Sequence, residues 1–131
     1  MPVSLDISFI CGVNMNIRSA SRSRRSLLSD GYQVTCVLKD SRTLIADKAN
    51  EICLNLTGNS AMAKAGSGDV LAGVIAGFMV QEKDTKKAAR LGTYVHGLAG
   101  DLAKFEKGVY SVMARDLIEY ISKALMKLED E

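Results

Sequence analysis

The chain has 131 residues, 47% of them hydrophobic and 24% charged, with a formal net charge of +2. That length holds one domain or part of one, and the near-neutral balance argues against a nucleic-acid specialist, an acidic tail protein or any other polyanion partner. Cys11, Cys36 and Cys53 show no CxxC spacing and read as reduced thiols, so neither a metal nor a redox site is expected.

Met1 to Cys11 lacks a basic stretch ahead of an apolar core and a small-residue cleavage site, so it does not read as a signal peptide. No apolar run approaches the roughly 20 residues of a membrane span. A cytoplasmic protein with no membrane partner is expected. Val3 to Ile10 alternates loosely and reads as a short strand. Arg18, Arg22, Arg24 and Arg25 are interspersed with serines from Ile17 to Ser29. Without interleaved aromatics for base stacking, that stretch reads as a solvated helix face or loop rather than a nucleic-acid arm.

Asp30-Gly31 signals a turn, after which Tyr32 to Lys39 is β-branched and nearly continuous in apolar character. Such a run suits a strand buried on both faces, as in a parallel sheet. Turns at Asp40-Ser41 and Lys48-Ala49-Asn50 set off Arg42 to Asp47 and Glu51 to Leu56 as an antiparallel hairpin continuing from it, so a mixed sheet is expected.

From Asp69 the apolar period changes from two to 3.6. Val70, Leu71, Val74, Ile75, Phe78 and Met79 form one large face, and Ala72, Gly73, Ala76 and Gly77 a small one. Lacking charge on any side, the Val70 to Val80 helix is predicted to be buried all round, its small face admitting another backbone. A second helix, capped by Asp84 or Thr85, runs to about Glu106 with a core stripe of Leu91, Val95, Leu98, Leu102 and Phe105. Gly92, His96 and Gly100 lie along another edge of it, and Gly108 ends it. A third helix begins at Ser111 or Asp116 with Leu117, Ile121, Leu125 and Leu128 on its apolar side. Its acidic end, Glu129-Asp130-Glu131, opposes the helix dipole and should fray.

The chemistry concentrates at Ala65-Gly66-Ser67-Gly68, followed by Asp69. Glycines let main-chain N–H groups converge, and a helix start adds unpaired donors and the positive end of a dipole, which makes a candidate phosphate site. Asp69 at its mouth suits a base that takes a proton from a reacting hydroxyl. Short Gly/Ser/Asp clusters are mostly turns. This one gains force from its place between a strand-rich segment and an apolar helix. No GK[ST] and no GxGxxG is present, so main-chain donors would hold the phosphate. Lys39 and Thr43 could reach a nucleotide, the plainer role for Lys39 being a snorkelling strand end. His96 reads as a packed, hydrogen-bonded residue, and Asn55 and Asn59 as ties for the Thr57-Gly58 turn.

LNLTGNSAMAKAGSGDVLAGVIAGFMVQ, AARLGTYVHGLAGDLA and SVMARDLIEYI together resemble the C-terminal half of the NAD(P)H-hydrate dehydratases, ADP/ATP-dependent repair enzymes of the ribokinase-like superfamily. VLKDSRTLIAD fits the family's strand, lysine, turn and threonine. The resemblance runs from about Gln33 to Ile121. It implies an α/β, three-layer α/β/α ribokinase-like fold, present as its C-terminal half over residues 32–131, with residues 1–31 outside it. It assigns Lys39, Asp40, Ser41, Arg42, Thr43, Gly66, Ser67 and Gly68 to the nucleotide, and Asp69 to the hydrated cofactor as the base. Asp40 stands where the commoner pattern has glycine, adding a negative charge there. The implied activity is that of a hydro-lyase, the ADP- or ATP-dependent dehydration of hydrated NADH or NADPH, with Mg2+ accompanying the nucleotide. Its partners would be small molecules only. The family's domain is substantially longer than this chain, so a homo-oligomer is expected to complete it. Two other readings stay open, a nucleotide-binding remnant without turnover and a small-molecule kinase of the same superfamily.

Overall fold

The computed structural model of the protein describes residues 35–39, 41–46 and 52–131. The expected strand from Val3 to Ile10, the arginine-serine stretch, the turns at Asp30-Gly31 and Lys48-Ala49-Asn50, and Asp40 lie outside these residues.

Three short strands, β1 (Cys36–Leu38), β2 (Leu44–Ala46) and β3 (Ile52–Leu54), form a sheet in that order. Both pairings are antiparallel, with Val37 opposite Ile45 and Ile45 opposite Cys53. The parallel neighbours expected for β1 are not seen among the described strands. A parallel pair needs a crossover of about a dozen residues or more, and the link from β1 to β2 is far shorter. The Asn55 N–H donates to the Thr43 carbonyl at 2.8 Å, extending the β2–β3 ladder by one step.

Period-two alternation sorts the strand residues. Val37, Ile45 and Cys53 share one face and pack against Leu71, Ile75, Met79 and Ala89 of the helices. Cys36, Leu38, Leu44, Ala46, Ile52 and Leu54 share the other. A sheet apolar on both faces is built for the middle of a layered α/β domain.

Three helices follow, α1 (Ser67–Gln81), α2 (Thr85–Lys107) and α3 (Ala114–Glu129). Gly66, at φ 90°, takes a left-handed conformation open to glycine, so α1 begins at Ser67, ahead of Asp69. Asp84 caps α2 as expected, accepting from the Lys86 and Lys87 N–H groups at 3.0 and 3.4 Å. α3 starts at Ala114, between its two expected starts. Asp116 accepts from the Met113 N–H at 2.7 Å and pairs with Lys107, which ties the start of α3 to the end of α2.

Two packing expectations need correction. α1 is not buried all round. Leu71 and Ile75 are buried against the sheet and α2, whereas Gly73, Ala76 and Gly77 are exposed and Val80 is 88% exposed. A Cβ on Gly73 or Gly77 would meet nothing within 4 Å. Among the described residues only one side of α1 is packed, because apolar composition permits contact without supplying the element that makes it. The core stripe predicted for α2 holds only in part: Val95 is buried and Leu98 and Leu102 pack against the core, whereas Phe105 is 90% exposed. Ala88, Ala89, Gly92, Thr93, Ala99, Gly100 and Ala103 are buried beside Val95 and His96. These small residues let backbones approach. A Cβ on Gly92 would lie 2.9 Å from the Ile75 Cα, so this glycine sets how closely α1 crosses α2. On its other side α2 packs Val95, Ala99 and Ala103 against Leu117, Tyr120 and Ala124 of α3.

Among the described residues no helix is long and apolar enough to cross a membrane.

Candidate functional site

The antiparallel register brings the end of β1, the start of β2 and the end of β3 to one edge, where Leu38, Leu44 and Leu54 stand side by side. The first turn of α1 abuts that edge, and a cavity of about 800 Å³ opens between them. Lys39, Ser41, Arg42 and Thr43 line it from the sheet, Ser67 and Gly68 from α1, and Thr93 and His96 from α2. The segment joining β3 to α1 supplies a further wall, including Thr57, Asn59, Ser60 and Lys64. Three cations, Lys39, Arg42 and Lys64, line the cavity, and among the described residues no carboxylate does.

Gly68 is what lets Lys39 reach the loop, since a Cβ there would overlap the Lys39 Nζ. The N–H groups of Gly68 and Asp69 find no acceptor among the described residues. With the positive end of the α1 dipole they add donors and partial positive charge beside the lysine. Arg42 is held in place by donating from Nη1 to the Leu56 carbonyl at 2.6 Å. The site is therefore electropositive and rich in donors, which suits a phosphate chain.

The joining segment has its own supports. Asn55 Nδ2 donates to the Thr57 carbonyl at 3.2 Å and lies 3.4 Å from the Thr93 carbonyl. The Thr57 hydroxyl lies 3.0 Å from the Tyr94 carbonyl. Asn59 Oδ1 accepts from the Ala61 N–H at 3.0 Å, capping a short 3-10 turn over Ser60–Met62. Asn55 and Asn59 thus tie the turn down, as their positions suggested.

His96 is buried, with Nε2 3.1 Å from the Ser67 carbonyl. A carbonyl only accepts, so Nε2 carries the hydrogen and donates. Burial above all pushes its pKa down to about 4; the Ser67 carbonyl favours the proton, and the Lys39 charge opposes it. The ring is neutral near pH 7 and joins α2 to the first turn of α1, which gives the expected packed histidine a place at the cavity.

Lys39, Ser41, Arg42, Thr43, Ser67 and Gly68 are thus brought together. Gly66 shapes the turn just outside the lining. Asp69 is exposed on α1 and does not line the cavity. Reading the residues alone overlooked Lys64, Thr93 and Asp101. Lys64 could have been found as the one cation in the small-residue run AMAKAGSG. Asp101 and Thr93 carried no local signal, because their partners lie about 40 residues away in the chain.

A family model described as NAD(P)H-hydrate dehydratase matches residues 6–123, reaching further toward the N-terminus than the motif blocks, which begin near Gln33. A bifunctional NAD(P)H-hydrate repair enzyme Nnr from Moorella thermoacetica is 45% identical over 100 residues, covering 76% of this chain and 19% of that protein. Among solved structures, the ADP/ATP-dependent NAD(P)H-hydrate dehydratase from Bacillus subtilis, co-crystallized with ATP/Mg2+ and soaked with CoA, matches with a TM-score of 0.77. Its identity is 29%, over 84% of this chain and 41% of that one. A ribokinase-like superfamily protein from Enterococcus faecalis matches with a TM-score of 0.63 at 33% identity, over 83% of this chain and 39% of that one. The chain spans less than half the length of each of these proteins.

Proposed function

The chain belongs to the NAD(P)H-hydrate dehydratase family and carries part of a ribokinase-like α/β domain, and from that premise we propose that its cavity binds the phosphates of ADP or ATP to drive dehydration of hydrated NADH or NADPH. The observation that carries this reading is the lining, in which Lys39, Arg42 and Lys64 meet the first turn of α1 with no carboxylate among the described lining residues. In this proposal the nucleotide lies along Lys39 to Thr43, Asp40 included, with its terminal phosphoryl group at Gly66, Ser67 and Gly68. The substrate hydroxyl attacks that phosphorus while Asp69 takes its proton, and the bond from the phosphorus to its bridging oxygen breaks, releasing AMP from ADP or ADP from ATP. Phosphate then leaves with the C–O electron pair, and the neighbouring carbon loses a proton, restoring the reduced nicotinamide ring. The loop's donors stabilise charge on the phosphoryl oxygens throughout. In this reading Asp69, exposed one residue beyond Gly68 and outside the cavity lining, meets the second ligand from the solvent side.

Among the described residues the lining offers a cation no carboxylate, and no three His, Cys, Asp or Glu side chains group as metal ligands. Magnesium would therefore arrive on the nucleotide, where it supplies charge neutralisation between phosphates. Self-association belongs to the same proposal, supported by Phe105 and Tyr110, 90% and 92% exposed, and light scattering checks it. So does a cytoplasmic location.

The test mixes the protein with hydrated NADH, magnesium and either ADP or ATP and follows absorbance at the reduced nicotinamide band. Recovery with at least one nucleotide is expected, and absence of recovery with both contradicts the enzyme reading. Asp69→Asn should lower the rate on the order of 10²-fold or more, and full activity in that variant would remove the base assignment.

A further inference from the structure

An irregular segment keeps one shape only where its backbone groups find fixed partners. Between β3 and α1, Arg42 and Thr43 hold the first residues, and most of the remaining partners come from one helix, α2. A Cβ on Gly97 would lie 2.7 Å from the Thr57 carbonyl carbon, and one on Gly100 would lie 2.5 Å from Met62 Cγ, so the segment rests directly on the α2 backbone. One residue further on, Asp101 Oδ2 accepts from the Gly58 N–H at 3.1 Å and Oδ1 accepts from Asn59 Nδ2 at 2.7 Å. Gly58 stands at φ 101°, a left-handed conformation that needs such a hold. Asn59, its amide nitrogen engaged, keeps Oδ1 for the Ala61 N–H at 3.0 Å and so starts the 3-10 turn. A single carboxylate therefore fixes two successive residues and, through Asn59, the turn beyond them. Gly58, Asn59 and Ser60 line the cavity, and Asp101 does not.

We propose that Asp101 is a positioning residue that holds the Thr57 to Met62 wall in the shape a nucleotide requires, setting affinity without touching the ligand. This rests on the nucleotide reading of the cavity. The two donors facing Asp101 demand two acceptors, which a carboxylate has and an amide lacks. Asp101→Asn, nearly identical in size, therefore turns one hydrogen bond into a clash of donors. Either the Gly58 N–H loses its partner, or Asn59 rotates and releases Ala61. Adding Asn59→Asp reverses the polarity of the pair. The amide at position 101 then donates to the new carboxylate and accepts from Gly58, while the other carboxylate oxygen caps Ala61.

The experiment measures ADP affinity by calorimetry and amide hydrogen exchange in the unmodified protein, Asp101→Asn and the double variant. Asp101→Asn should weaken ADP binding about tenfold, because the binding-competent wall is populated less. It should speed exchange at residues 58–62 and leave α3 unchanged. The double variant should return exchange at residues 58–62 to the original rate, since all three hydrogen bonds are remade. If the unmodified protein binds ADP and Asp101→Asn binds it equally well, or if the folded double variant leaves exchange at residues 58–62 as fast as in Asp101→Asn, the positioning role is overturned. If the unmodified protein does not bind ADP at all, the nucleotide reading has failed and this proposal falls with it.

Discussion

The wall from Asn55 to Gly68 and the α2–α3 pair share a helix but are held by opposite means. The wall is fixed by side-chain to backbone hydrogen bonds and by glycines that bring it onto α2. The α2–α3 pair is fixed mainly by apolar contact around Leu117, Val112 and Ala103, joined by the exposed Lys123–Glu106 pair and by Lys107 on the buried Asp116 carboxylate. Directional bonds specify position, while non-directional burial supplies most of the free energy. Binding and stability should therefore respond to different residues, although α2 serves both.

The largest separation should come from Leu117→Ala. Deleting this fully buried side chain should cost about 2–5 kcal/mol in urea unfolding, with ADP affinity of the folded protein unchanged. A parallel loss of affinity would show that the two regions are not separable. Next comes pH. The unfolded chain protonates His96 below about 6.5, and the folded chain does so only near 4. The His96 contribution to stability should fall as pH drops through that window, by at most about 1.4 kcal/mol per pH unit, and level off below it. His96→Gln should flatten the slope, as a denaturation series between those pH values would reveal; an unchanged slope would take the buried, neutral ring out of the account.

Gly97→Ala should cost about 1–3 kcal/mol through overpacking against Thr57 and also weaken ADP binding, because the shift falls on the wall. Gly68→Ala should be smaller in stability and selective in effect. Its methyl meets the flexible end of Lys39, so Tm should hardly move while ADP affinity drops about tenfold, the equivalent of ~1.4 kcal/mol. Equal binding by Gly68→Ala would detach Lys39 from the site. Smallest of all, Lys123→Ala removes an exposed pair with Glu106 and should leave thermal unfolding and binding unaltered.

The same division explains what could be read from the sequence. Caps and breaks are local, so Asp84 and Gly108 marked the ends of α2, and the GSGD run marked the start of α1. The hairpin of β2 and β3 was legible from its turn and alternation. The buried face of α2 was legible only in part, because a pattern weighted by hydrophobic size finds Val95, Leu98 and Leu102 but also selects Phe105, and it assigns no packing role to Gly92, Gly97 and Gly100, whose value is the space they leave. The uncovered side of α1 was misjudged for a related reason, since apolarity at Gly73 and Val80 says nothing of what lies opposite. At the site, Lys39, Ser67 and Gly68 were legible because chemistry and position coincide in one short run. Asp101 was not, its role being defined by Gly58 and Asn59 across more than 40 positions.

The central claim is that this cavity is a phosphate site, and the most direct test compares ADP with adenosine in calorimetric titrations of the unmodified protein. The arrangement of Lys39, Arg42, Lys64 and the α1 start requires ADP to bind at least about tenfold more tightly, with the advantage shrinking as salt screens the exposed charges. Adenosine binding as well as ADP, or an ADP affinity indifferent to salt, would contradict it.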